Sequence, residues 1–127
     1  LFILFTYITK PGQPLFPFTY FQDYPIPLVV ITVVLYVFHC FIQEFISRGV
    51  IQGSLHIFMT ETHFIVPIFI TAMVFSFCHL HKSPQIALLT FIISFALGSL
   101  YYRHKNLIGV TITHFLLGFL TQAMGYM

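Results

Sequence analysis

The chain has 127 residues, of which 58% are hydrophobic and 6% charged, with a net charge of +2. Soluble domains carry about a quarter charged residues, and a chain this short folded in water would leave much of its apolar surface exposed. A soluble fold is therefore excluded, and the absence of a basic surface excludes nucleic acid as a partner; membrane lipid is the solvent that fits.

All eight charged residues are Lys10, Asp23, Glu44, Arg48, Glu61, Lys82, Arg103 and Lys105. They bracket uncharged stretches at 24–43, 62–81, 83–102 and 106–127, each about the 20 residues that cross a hydrocarbon core of roughly 30 Å. The expected fold is all-α, a multi-pass transmembrane bundle of four to five helices in an integral membrane protein. The apolar run Leu1 to Ile8 has no basic residue ahead of it, which argues against a signal peptide. It reads as the tail of a preceding helix, and the chain as a piece of something longer.

Four of the seven prolines lie between residues 11 and 25, among Phe16, Phe18, Tyr20, Phe21 and Tyr24. Such a segment suits the headgroup region, where aromatic rings sit well. Residues 1–24 are thus expected to form a helix end plus an interfacial loop, and residues 25–127 a transmembrane core. Leu28 to Met59 is helix-compatible, with Gly49 and Gly53 as weak points. As one helix it would run about 48 Å, so it either tilts and projects or breaks near His39-Cys40, and the break is expected because it brings Glu44 and His79 to one side. Further helices are expected over His63–Leu80, Pro84–Tyr102 and Leu107–Met127, joined by short turns. If every segment spans, Lys10 and Lys82 fall on one side and Arg103 and Lys105 on the other, so the positive-inside rule leaves orientation undecided. Cys40 and Cys78 both sit in apolar stretches and read as small buried thiols.

Polar and ionisable residues inside membrane segments are costly and mark functional sites. Here they are Gln43, Glu44 and Arg48, with His39 one turn before Gln43, then His79, then His114. Glu44 and Arg48 are spaced i, i+4 and can pair on one helix face, either as a helix-end ion pair near the interface or as part of a site. A carboxylate with two imidazoles can activate water for peptide hydrolysis, the carboxylate taking the proton while the imidazoles orient the water and stabilise the oxyanion. Glu44, His79 and His114 are also a plausible zinc set, with three protein ligands and an open fourth position.

Gln43-Glu44-Phe45-Ile46-Ser47-Arg48-Gly49 resembles the EExxxRG motif of the CPBP family, the CAAX protease and bacteriocin-processing membrane endopeptidases, which include the type II CAAX prenyl endopeptidases. Phe75-Ser76-Phe77-Cys78-His79 resembles its FxxxH motif. Phe95 to Tyr102 resembles the end of the following helix, and Asn106 to His114 the helix with the last histidine. The likeness covers about 40–120 in the family's order. It implies intramembrane peptide-bond hydrolysis by a glutamate/histidine-activated water, with Gln43, Glu44, Arg48, His79 and His114 catalytic and Phe75, Asn106 and Gly118 supporting. It implies no cofactor, and a peptide or protein substrate that is prenylated or membrane-embedded. Two positions depart from the pattern. Gln43 stands where the family has its first glutamate, the base that activates water. Gly118 stands where a polar residue, usually Asn or Asp, follows the last histidine by four. Three readings of Gln43 stay open: Glu44 acts as base, Gln43 was substituted to trap substrate, or the chain is a non-cleaving scaffold or immunity-type relative. A reading as a metal or haem carrier using His39, His79 and His114 competes less well because no paired-helix histidine ladder is evident, and one as a channel or transporter piece because the polar residues cluster.

The catalytic reading makes a geometric demand. Measured from their shared turn, Glu44 and His79 each lie roughly 20–25 Å along their helices, and His114 about 12 Å from Asn106. All three should nevertheless converge on one cavity.

Overall fold

A computed structural model describes residues 24–59 and 63–123. The apolar run Leu1–Ile8 and most of the proline- and aromatic-rich loop lie outside the described residues. Among those described, helices are the only regular secondary structure, joined by short turns. Helix α1 spans Ile26–Glu44 and runs directly into a π-helical segment, Phe45–Gln52, then into the short α2, Gly53–Phe58. Helices α3 (Ile65–Phe77), α4 (Pro84–His104) and α5 (Leu107–Ala123) follow.

The break expected near His39-Cys40 is absent. Residues Ile26–Phe58 form one helical path of 33 residues, about 50 Å long at 1.5 Å per residue, and Gly49 and Gly53 lie within it. What changes is the winding. Cys40, Glu44, Arg48 and Gln52 are all buried, each four residues after the last. In an α-helix four residues overstep one turn by about 40°, so such a row drifts around the axis. The wider i→i+5 turn over Phe45–Gln52 makes four residues fall short of a turn and carries the row back. The winding change thus keeps the polar row on one buried face without a break.

The connections are legible as capping chemistry. Ser83 Oγ accepts the Ile86 N–H at 3.1 Å and Pro84 occupies the first turn, which starts α4. Lys105 adopts the left-handed conformation, φ 51°, that ends α4. Asn106 Oδ1 accepts the Gly109 N–H at 3.0 Å and starts α5. Pro67 sits in the first turn of α3, where its missing N–H costs nothing. These short turns make α3 and α4 antiparallel neighbours with the most extensive helix contact, and α1 packs chiefly on α5.

Burial is inverted relative to a soluble protein. The buried side chains include Glu44, Ser47, Arg48, Gln52, Thr71, Ser94 and Thr111, while Leu35, Phe38, Leu88 and Ile108 stand more than 60% exposed. The helix hydroxyls turn back on their own backbones, as in Thr71 to Pro67 O (2.7 Å) and Thr111 to Leu107 O (2.9 Å). This leaves an apolar exterior around a polar interior, the distribution that a hydrocarbon solvent selects. Among the described residues two helices, Ile26–Phe58 and Pro84–His104, are long and apolar enough to cross a bilayer.

Candidate active site

The polar row on the first helix is knitted into α4 and α5 by side-chain hydrogen bonds. Arg48 is the hub. Its Nε donates to Glu44 Oε2 at 3.0 Å, one terminal nitrogen to Gln52 Oε1 at 3.4 Å, and the other to Ser94 Oγ of α4 at 2.8 Å. Gln52 then donates to the Gly98 carbonyl at 3.1 Å. Both members of the Glu44–Arg48 pair are fully buried, so they are not a helix-end pair at the interface. Gly98 makes this approach feasible: a Cβ there would lie 3.0 Å from Gln52 Oε1, 3.0 Å from Ile68 Cγ2 and 3.1 Å from Arg48 Nη1.

The second oxygen of Glu44 faces α5. His114 Nδ1 lies 2.8 Å from Glu44 Oε1. A carboxylate only accepts, so Nδ1 carries a proton and donates, and in the neutral ring Nε2 is then the lone-pair nitrogen. His79 is fixed in the same sense. It sits in the turn after α3, and its Nδ1 donates to the Phe75 carbonyl at 2.9 Å. The Phe75 ring packs against both imidazoles, 4.9 Å from His79 and 5.7 Å edge-on from His114.

A cavity of about 90 Å³ opens beside these rings. Gln43, His79 and His114 line it together with Tyr36 and His39, and Ile86, Leu89, Ile93 and Leu97 of α4 form an apolar wall. Glu44 is not among the lining residues. The demand that Glu44, His79 and His114 share one cavity is therefore met by the two histidines only. Glu44 stands behind His114, one position around the helix from Gln43, and reaches the cavity through the imidazole.

The other residues singled out from the sequence fall in distinct places. Phe75 supports both histidines, whereas Asn106 is exposed and caps α5. Gly118 lines the cavity one turn after His114. A Cβ at Gly118 would overlap the Tyr36 hydroxyl and lie 3.0 Å from its Cζ, so the Tyr36 phenol occupies that place. Cys40 is buried as expected, but Cys78 is exposed. Among the described residues no three His, Cys, Asp or Glu side chains are grouped to hold a metal ion. Both Glu44 oxygens are already engaged, by Arg48 and His114, and Glu44 does not line the cavity.

Tyr36, Gln52, Ser94 and Gly98 escaped the reading of the sequence as site residues. Gln52 continues the four-residue spacing of Glu44 and Arg48, and Ser94 and Gly98 share that spacing on α4. Those two rows were the available signal. Nothing in the sequence marks Tyr36 among the aromatic residues around it.

A model of the family described as type II CAAX prenyl endopeptidase Rce1-like matches residues 25–120. Neither the curated proteins nor the solved structures contain a match to the chain.

Proposed function

The chain belongs to the type II CAAX prenyl endopeptidase Rce1-like family, which is membrane-embedded, and from that premise we propose that it is a multi-pass intramembrane endopeptidase. Its general base is His114, held and charge-compensated by Glu44. The observation that carries this reading is the 2.8 Å Glu44–His114 contact, with the imidazole on the cavity and the carboxylate behind it. A carboxylate on Nδ1 selects the tautomer whose Nε2 accepts a proton, and stabilises the positive ring that results.

In this mechanism water lies between the two imidazoles. Nε2 of His114 takes one of its protons as the oxygen attacks the peptide carbonyl carbon. Nε2 of His79 accepts the other hydrogen and orients the attack. The Gln43 amide, which cannot take a proton, donates N–H to the carbonyl oxygen as it becomes negative. The proton on His114 then passes to the departing amide nitrogen as the C–N bond breaks, which regenerates the neutral ring. The substrate is a peptide reaching the cavity from the lipid, its apolar side chains against the Ile86–Leu97 wall. A prenylated C-terminal segment is the class that the family description suggests.

The test uses purified protein in detergent with quenched-fluorescence peptides, prenylated and unprenylated. Cleavage by the wild type is expected. His114→Gln should reduce kcat by about 10²–10⁴-fold, the scale of general acid–base catalysis, with an unchanged melting temperature as the control for folding. If the wild type is inert while Gln43→Glu cleaves, the carboxylate is required at position 43 and the Glu44–His114 mechanism fails.

A further inference from the structure

The hydrolysis proposed above needs hydrogen-bond donors aimed at the developing oxyanion, and the cavity's two histidines are poorly suited to supply them. Each has its Nδ1 proton committed, His114 to Glu44 and His79 to the Phe75 carbonyl. Each neutral ring therefore presents an acceptor to the cavity. Thr121, another lining residue, donates its hydroxyl to Leu117 O at 2.7 Å. Gln43 is placed to supply one donor; Lys82 and Thr90 line the cavity from the α3–α4 turn and from α4, so a donor on the His114 side remains to be found.

We infer that the Tyr36 hydroxyl is this second donor, a catalytic residue that reaches the reaction centre through the gap left by Gly118. Tyr36 is on α1, two turns before Gln43, and lines the same cavity as His114 and Gly118. Gly118 lies one turn beyond His114 on α5, so the two share a face. Gly118 has no side chain, and the phenol fills the place where a Cβ would stand. The ring is braced by Phe115, at 5.7 Å between centroids, and by stacking with His39 at 6.5 Å. A glycine on the wall of a polar cavity, filled by the polar end of a neighbouring helix's tyrosine, delivers an O–H one helical turn from the base. A phenol suits this place, because its apolar ring packs among helices while its hydroxyl bonds the Cys40 thiol one turn on, a weak acceptor that a negative oxygen outcompetes.

The inference rests on the hydrolytic reading, and the experiment separates the two. Wild type, Tyr36→Phe and the exchange variant Tyr36→Ala/Gly118→Asn are compared for kcat and KM on the prenylated quenched peptide. They are also compared for binding of a peptidyl phosphinate, a stable mimic of the tetrahedral intermediate. Tyr36→Phe keeps the ring in its notch and removes only the donor. Its kcat should fall about 10²-fold or more, as for loss of one oxyanion donor, with KM within twofold. Its phosphinate affinity should fall in parallel, and melting should be unchanged. The exchange variant, which places an amide donor in the same notch from the opposite helix, should recover at least tenfold of that loss. If the wild type cleaves and Tyr36→Phe retains kcat within twofold, the role of Tyr36 is refuted while the peptidase reading stands. If the wild type cleaves nothing and does not bind the phosphinate, both fall.

Discussion

Arg48 decides the local energetics because it satisfies three neighbours at once, Glu44, Gln52 and Ser94. A buried ion pair is not in itself a large source of stability, yet removing one partner leaves an uncompensated charge and costs about 3–5 kcal/mol. Arg48→Met is therefore expected to be far more damaging than its exposed neighbours Phe45→Leu or Val50→Ala, as read from melting temperatures in detergent. Gly98 belongs to the same cluster. Gly98→Ala places a methyl within about 3 Å of Gln52, Ile68 and Arg48, and overpacking of this kind typically costs about 1–3 kcal/mol. Gly98→Ala should lower the melting temperature, whereas Gly109→Ala, whose close neighbour is the exposed end of Asn106, should lower it less. An equal effect at both positions would show that the Arg48–Gln52–Gly98 approach is not tight. At this scale the motif residues were legible because a membrane segment tolerates few charges. Their division of labour was not: adjacent positions 43 and 44 point about 100° apart on a helix, and only packing decides which meets the cavity and which the interior.

At the scale of the elements, helix starts are written locally. Ser83-Pro84 and Asn106 are an N-cap followed by proline and an Asx cap, and α4 and α5 begin there. Ser83→Ala and Asn106→Ala should each cost about 1 kcal/mol. Ser83→Asp, which restores an acceptor, should recover most of its loss; the check is thermal unfolding of the purified variants. The first helix shows the opposite case. At about 48 Å as one helix, Leu28 to Met59 is too long for a perpendicular span, and a break near His39-Cys40 is the expectation from sequence. The helix instead continues because Glu44 and Arg48 neutralise each other and are hydrogen-bonded by His114 and Ser94 inside the bundle, so neither need reach water. The π-helical segment that holds them in line packs chiefly on α3 and is hydrogen-bonded to Ser94 and Gly98 of α4, partners distant in sequence.

For the whole molecule, the apolar exterior and polar interior predict behaviour that does not depend on chemistry. The protein should remain with membranes through high salt and alkaline carbonate, and leave them only with detergent. Release by either wash would contradict a lipid-facing exterior carrying Leu35, Phe38, Leu88 and Ile108. The same inversion places the cavity within the bundle, between α1, α3, α4 and α5, where a low dielectric strengthens every hydrogen bond to the reacting group.

Composition and charge spacing alone determined the solvent, the helical class and the approximate extents of α3, α4 and α5, because these depend on transfer of side chains to lipid and on local capping. Motif spacing also identified Glu44, Arg48, His79 and His114 as the polar set. The tertiary structure decided the rest: that Ile26–Phe58 runs unbroken, that Glu44 sits behind His114, and that the Tyr36 phenol fills the place left by Gly118. Each of these depends on which side chain from a distant helix reaches a given point. That is settled by interhelical packing rather than by any pattern along the chain.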